Sequence, residues 1–382
     1  MTAAASKRAG VAALLKGRRL VFFVGEGGVG KTSCAAALAL AFAARGKSVA
    51  VLTIDPAPRL GDALGLEAID AEWRDVGHSA LTRSGGRLAA SRLDTKSVFD
   101  RLVTRLAPSP SAARKILDNP IYASVSGQLS GADSYMAFQQ LHDLLGANDF
   151  DLVVVDTPPA AHADEILGAP ARLARLLDTG AISVIADPAL AVARAGSKIA
   201  AFTIRWLLKV LERVTGSTLR SDLADFALGF HDVVASLSER ATEVTEILRS
   251  SDTLVVEVLR PDAHSVAVAR ALRSSLEVAR LTVGYTLVNR LTPPAPAEAP
   301  APSEGASPEM LAAEARIAAA IAALRVEETE AVEKLKAMLA TAGERRGRLL
   351  RLTASENGIE SLDALLELGE RILDGEASTE QV

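Results

Sequence analysis

Leu20-Val21-Phe22-Phe23-Val24-Gly25-Glu26-Gly27-Gly28-Val29-Gly30-Lys31-Thr32 reads as a buried strand that empties into a glycine-rich turn, followed by an Ala-rich helical stretch from Ser33 onward. The glycines let successive backbone N–H groups turn inward around an anion, and the start of the helix adds its partial positive charge. Lys31 supplies a mobile ammonium for the outer phosphates of a nucleotide, and the Thr32 hydroxyl is placed to ligate Mg2+. The residues expected to bind nucleotide along this turn are Gly25, Gly27, Gly28, Val29, Gly30, Lys31, Thr32 and Ser33.

Two further strand ends carry carboxylates. In Phe150-Asp151-Leu152-Val153-Val154-Val155-Asp156-Thr157-Pro158-Pro159, Asp156 closes an apolar run, the place where parallel α/β sheets hold their ligands. Asp156 reads either as a plain helix cap or, paired with the phosphate turn, as a group holding the Mg2+ hydration shell or the Thr32 hydroxyl. In Val51-Leu52-Thr53-Ile54-Asp55-Pro56-Ala57, Asp55 reads either as a turn-initiating Asp-Pro or as the group that orients or deprotonates an attacking water. Asp55 and Lys31 are thus the catalytic candidates, with Thr32 as metal ligand and Asp55 and Asp156 acting on the metal through water.

On either side of these motifs, β-branched and aromatic runs at 20–24, 49–54, 88–93, 152–155, 254–259, 282–288 and 348–352 alternate with Ala/Leu-rich stretches. That alternation predicts an α/β fold with a mostly parallel, doubly wound sheet, and the continuously apolar runs suit strands covered on both faces. Stretches 97–145 and 188–250 read as wholly helical and too long for simple crossovers, so a single domain with an inserted helical subdomain is expected. The Pro/Ala/Glu-rich tract 291–308 reads as an extended linker, since proline denies it helix and ladder bonding. Beyond it, 309–346 reads as a long charged helix, either a solvated support or a partner-binding surface.

The chain has 382 residues, 49% hydrophobic, 23% charged and 4% aromatic, which favours helices packed on a sheet over an all-β sandwich. A net charge of -5 argues against a general nucleic-acid binder. The single cysteine, Cys34, excludes a disulfide framework, a Cys-based structural zinc and a thiolate-ligated cluster built from this chain alone. Neither a targeting segment nor a run of about 18 uncharged apolar residues is visible, so a cytoplasmic protein is expected.

At these motifs the chain resembles the phosphate-loop NTPases with a deviant Walker A sequence, in the branch that holds the arsenite-pump ATPases and the ATPases that deliver tail-anchored membrane proteins. The resemblance rests on the GxGGVGKT turn at 25–32, TIDPA at 53–57 with the following LGDALG, and DTPP at 156–159. It extends to LVNR at 287–290, whose Asn289 stands where the family contacts adenine, and to the closing strand and helix from Arg348 onward. Thr353 stands where a proline near the adenine is usual. The resemblance implies an ATPase with ATP and Mg2+ as cofactors, working as a dimeric switch. It also implies a chaperone or targeting role toward apolar membrane-protein segments, with the helical insertions as client-binding subdomain. A surface-partitioning switch similar to the MinD/ParA relatives is a third reading, against which their lysine at the Glu26 position and their short compact domain both count.

Three departures matter. Relatives place a signature lysine second in the turn, where it reaches the other subunit's nucleotide, whereas this chain has Glu26. A carboxylate held close there would repel phosphate. Three outcomes stay open: Glu26 points away, a lysine-bearing paralogue completes a heterodimer in place of a homodimer, or hydrolysis is slow. The last would suit a low-turnover regulatory or scaffold subunit. Pro58-Arg59 replaces the His-Asn pair of the targeting ATPases, with Arg59 a possible source of positive charge. The arsenite-binding cysteines and the zinc-binding CxxC are absent, which disfavours thiol activation and a zinc-clasped dimer.

The stretch 194–213 places Arg194, Lys198, Arg205, Lys209 and Arg213 on one helical stripe opposite a broad apolar face. Packing within the subdomain or dimer, a groove for an apolar client and a membrane-surface contact all fit it. His162 reads as a capping or surface residue, or as a sensor of the outermost phosphate.

Overall fold

The computed structural model describes residues 11–107, 109–119, 122, 132–158, 236, 239–294, 307–341, 348–355, 358–375 and 380–381. Its centre is β1 (Leu20–Gly25), flanked by β5 (Leu152–Asp156) and β6 (Thr253–Leu259), with every residue of all three buried. The sheet continues through β2 (Ser48–Thr53) and β4 (Arg87–Arg92) on one side, and β7 (Val283–Leu291) and β8 (Arg348–Thr353) on the other. These seven strands pair in parallel and match the seven expected runs. Two-residue edges, β3 (Arg74–Asp75) and β9 (Glu380–Gln381), pair antiparallel and give a nine-stranded order β3-β4-β2-β5-β1-β6-β7-β8-β9. Two residues carry no periodic signal, so neither edge was legible.

Successive side chains of each strand enter opposite layers, which is why the strands read as unbroken apolar runs. Val21, Phe23, Val49, Val51 and Val154 pack under α2 (Lys31–Ala43) and α10 (Leu362–Asp374). Phe22, Val24, Ala50, Leu52, Val153 and Val155 face α5 (Thr95–Leu106), α7 (Ala132–Ala147) and the helical residues 239–249. Alanines on α2 let α10 come so close that a Cβ at Gly369 would lie 2.0 Å from the Ala37 carbonyl oxygen. The phosphate-turn helix is thereby held from above by the end of the chain.

Short helices α1 (Val11–Leu15), α3 (Arg59–Leu64) and α4 (Ser79–Ser84) fill in the first layer, and α6 (Pro110–Leu117) follows α5. Of the stretch expected to be wholly helical at 97–145, the described residues form α5, α6 and α7 together with the helical Tyr122, while Ala107, Ser109 and residues 118–119 lie outside helix. Stretch 188–250 is described only at 236 and 239–250, so its client-groove reading at 194–213, like His162, lies outside the described residues. The Pro-rich tract is described at its ends alone: Leu291 finishes β7 and Pro308 begins α9 (Pro308–Thr341).

From Glu328 onward α9 packs through Val332, Leu335 and Leu339 against Leu259, Val288 and Leu349. Its first turns stand clear of the body, with Met310, Ile317 and Leu324 exposed. Between β6 and β7 runs α8 (Ser265–Val278), whose Arg273 is buried with Glu257 and Thr286. Among the described residues no helix is long and apolar enough to cross a membrane.

Candidate nucleotide site

The parallel register brings three chain ends to one edge. Phe23 and Thr53 both pair with Asp156, so β1, β2 and β5 finish side by side and release the phosphate turn and Asp55 into one crevice. The turn is shaped by Gly28 (φ 77°) and Gly30 (φ 96°), left-handed conformations that glycine adopts without steric penalty. A Cβ at Gly30 would also lie 2.4 Å from Asn289 Nδ2. That amide donates to the Val29 carbonyl at 2.9 Å, tying the end of β7 to the turn across 260 residues of chain.

Lys31 is buried at the first position of α2, and its Nζ donates to the Glu26 carbonyl at 2.7 Å, bridging the turn from inside. Burial holds this ammonium below its ordinary value, while Asp156 and Asp55 pull the other way. Thr32 Oγ1 donates to Asp156 Oδ2 at 2.8 Å and Thr53 Oγ1 donates to the same oxygen at 3.0 Å. Asp156 Oδ1 is buried without a hydrogen-bond partner. Burial raises the carboxyl to about 6 against those two hydroxyls and the Lys31 charge. A buried carboxylate oxygen with spare lone pairs, behind a threonine hydroxyl, is a hard-oxygen donor set of the kind that suits hydrated Mg2+. The residues present therefore fit the metal.

Asp55 leaves β2 into an Asx turn, its Oδ1 accepting from the Ala57 N–H at 2.9 Å, and its Oδ2 accepts from Arg59 Nη1 at 2.9 Å. A cavity of about 400 Å³ lies between these groups, lined by Gly28, Gly30, Lys31, Thr32, Asp55 and Arg59 among others, with Ser33 at its rim. Adjoining it, a second cavity of about 370 Å³ is walled by Asn289, Thr353, Ser355, Ile359 and Arg371. Gly30, Ser33, Arg290 and Ile359 line both, so the two form one crevice, with a phosphate part at the glycine turn and Lys31 and a second part beside Asn289 and Thr353.

Of the expected residues, Gly28, Gly30, Lys31, Thr32, Ser33 and Asp55 border the first part and Asn289 the second. Gly25 ends β1 in the interior, Gly27 lies exposed in the turn and Val29 is buried; none of the three lines either part. Asp156 stands behind the wall, reached through Thr32. The Glu26 side chain is half-exposed, does not border the crevice, and lies 3.9 Å from His264 Nε2 at the start of α8.

Sequence reading did not assign Arg290, Ile359 and Arg371 to the site. Arg290 adjoins Asn289 and has a left-handed φ of 65°, but backbone hand leaves no trace in residue order. Arg371 sits on the last helix and donates to the Thr353 carbonyl and hydroxyl, a contact made only when α10 folds back on β8.

A strand, a glycine turn and a helix on a parallel sheet, with the crevice at the strands' carboxyl ends, place the protein among the phosphate-loop NTPases. The sequence profile of the anion-transporting ATPases matches residues 18–304, and the chain belongs to that family. It is 28% identical over 163 residues to the ATPase GET3 of Malassezia globosa, covering 42% of this chain and 45% of that one. To the arsenical pump-driving ATPase of Escherichia coli it is 28% identical over 165 residues, 42% of this chain and 27% of that protein. ATPase GET3B of Arabidopsis thaliana matches at 25% over 309 residues, 74% of this chain and 66% of its own length. The first two matches thus span under half the length of those relatives.

Proposed function

We propose that the chain binds MgATP and hydrolyses it to ADP and phosphate, as a dimeric switch that moves a helical subdomain built from insertions at 97–145 and 188–250. The observation that carries this reading is the convergence of Lys31, Thr32 and Asp55 on one cavity, with Asp156 directly behind Thr32, in a member of the anion-transporting ATPase family.

In this reading the backbone N–H groups of the glycine turn cradle the phosphates and Lys31 leaves the Glu26 carbonyl to neutralise their outer oxygens. Thr32 ligates Mg2+, and Asp156 and Asp55 hold its hydration shell. The ion supplies positive charge to the phosphate oxygens when bound. Asp55 orients the attacking water and accepts its proton as the new phosphorus–oxygen bond forms and ADP departs with the electron pair of the broken one. Catalysis of this kind is positioning and charge neutralisation, which a buried lysine and two strand-end carboxylates suit. Asn289, beside Arg290 and Thr353, receives the adenine end.

The client of such a switch, by resemblance to the tail-anchored-protein ATPases, is an apolar segment of a membrane protein. Glu26 favours a second reading, a low-turnover regulatory or scaffold subunit that pairs with a lysine-bearing paralogue.

Isothermal titration with MgATP and steady-state hydrolysis test both readings on wild type, Lys31→Ala and Asp55→Asn. Saturable uptake by wild type, lost in Lys31→Ala and kept in Asp55→Asn with turnover reduced about 10²-fold or more, is the expected pattern. Absence of uptake by wild type would remove the proposal. Uptake without turnover would leave the scaffold reading.

A further inference from the structure

We infer that Arg59 is this chain's own cation for the γ-phosphate, held on Asp55 until that phosphate arrives and then exchanged onto it. The inference rests on the ATPase reading above and names the group that supplies the charge that position 26 lacks.

Among the described residues four cationic side chains border the crevice, Lys31, Arg59, Arg290 and Arg371, and Arg371 lines only the second part, where it donates to Thr353. Lys31 is fixed at the turn by its place on α2. Arg290 lines both parts and so stands at their junction, whereas Arg59 lines the phosphate part alone, beside Asp55. It is the cation paired directly with the carboxylate proposed to direct water.

The Asp55–Arg59 pair is built to open. Asp55 is anchored, with its side chain 12% exposed and Oδ1 held by the Ala57 N–H, while the Arg59 side chain is 60% exposed. An ion pair with one solvent-exposed partner is weak and screened. Pro56 and Pro58 flank Ala57 and fix its neighbours' φ, so the backbone between the two residues is stiff and the exchange is a rotation of the arginine side chain. A γ-phosphate offers more negative charge than one carboxylate, and it presents oxygens that the planar guanidinium can bridge with two parallel donors.

One movement then has two effects. Charge reaches the transferring phosphoryl group in cis, the role an arginine finger fills in other phosphate-loop enzymes. Asp55 Oδ2, until then an acceptor for Arg59, is freed to accept a proton from the attacking water. That proton passes to Asp55, the water oxygen bonds to the γ-phosphorus, and the bridging oxygen leaves with ADP. ADP, having no γ-phosphate, leaves Arg59 on Asp55, so the same contact separates the two nucleotide states.

The test uses the full chain as wild type, Arg59→Ala, Arg59→Lys, Glu26→Lys and Glu26→Lys/Arg59→Ala. For each, kcat and KM for MgATP, MgADP affinity and trapping of ADP with aluminium fluoride are measured. Arg59→Ala is expected to lower kcat about 10³-fold and abolish trapping, with MgADP affinity kept within about twofold. Arg59→Lys is expected to fall between, since it keeps the charge without the fork. Adding Glu26→Lys to Arg59→Ala is expected to recover about tenfold, because a cation returns to the turn. Turnover of Arg59→Ala within about twofold of a hydrolysing wild type would overturn the inference and leave the ATPase reading standing. Equal loss of MgADP and MgATP affinity would show a structural role and overturn it as well. Wild type that takes up no nucleotide would sink both.

Discussion

Thr32 Oγ1 donates to Asp156 Oδ2 at 2.8 Å, joining the first turn of α2 to the end of β5 across 124 residues of sequence. The contact ties the phosphate turn to the strand-end carboxylate, and the other carboxylate oxygen is left buried without a partner. Asp156→Ala should therefore weaken MgATP binding by roughly tenfold or more while nucleotide binding in chelator is little changed. Titrating with and without Mg2+ checks this; equal loss in both conditions would rule out a metal role.

The same carboxyl sets a pH dependence of stability. Burial lifts the folded value of Asp156 to about 6 from an ordinary 3.8, so the folded protein binds the proton more tightly than the unfolded chain. The stability this contributes is complete below about pH 4 and is lost as pH rises through about 6. Asp156→Asn, which cannot ionise, should gain on wild type over that window, on the order of 3 kcal/mol by pH 7 in metal-free buffer. Denaturant unfolding of both proteins at pH 4 and pH 7 measures the difference, and a pH-independent difference would contradict it.

Gly30 has no room for a side chain. Its φ of 96° is left-handed and an added Cβ would meet the Asn289 amide at 2.4 Å. Gly30→Ala should cost about 1–3 kcal/mol of stability and break the Asn289 contact with Val29, with loss of nucleotide affinity beyond that of Asn289→Ala alone. Thermal unfolding and nucleotide titration of the two variants check this.

Arg290 faces both parts of the crevice, so it should serve ATP and ADP alike. Arg290→Gly keeps the left-handed backbone and removes the charge, and is expected to weaken both nucleotides by roughly tenfold. Selective loss of ATP would instead assign Arg290 the role inferred for Arg59.

Away from the site, Arg273 donates to Glu257 Oε2 at 2.7 Å and to Thr286 Oγ1 at 2.8 Å inside the sheet–α8 contact. Arg273→Ala leaves a buried carboxylate without its cation and should cost about 3–5 kcal/mol, with nucleotide affinity of the folded protein unchanged. Urea unfolding together with titration checks both halves.

The seven parallel strands and the phosphate turn were legible because both are local signals: a strand-like run of four to seven residues, and glycines at fixed offsets before a lysine and a threonine. Asp55 and Asp156 were legible as strand ends for the same reason. Of their partners, the Thr32 hydroxyl on Asp156 was legible and the others were not. That Thr53 joins Thr32 on Asp156, that Arg59 covers Asp55 and that Asn289 braces Val29 follow from strand register and turn geometry. Nothing local to Glu257 or Arg273 marks them as a pair, since burial of a pair is a property of the packed layers.

Residue order alone thus dictated which chemical groups the chain owns and the type of cradle they build, because helix, strand and glycine preferences act over a few neighbours. The direction each group faces was settled by the fold. Glu26 lies beside His264 and off the crevice, while Arg59 borders it. Neither placement is encoded within reach of those residues in the chain. Both depend on which strands lie side by side, and that is decided by burying two apolar sheet faces at once.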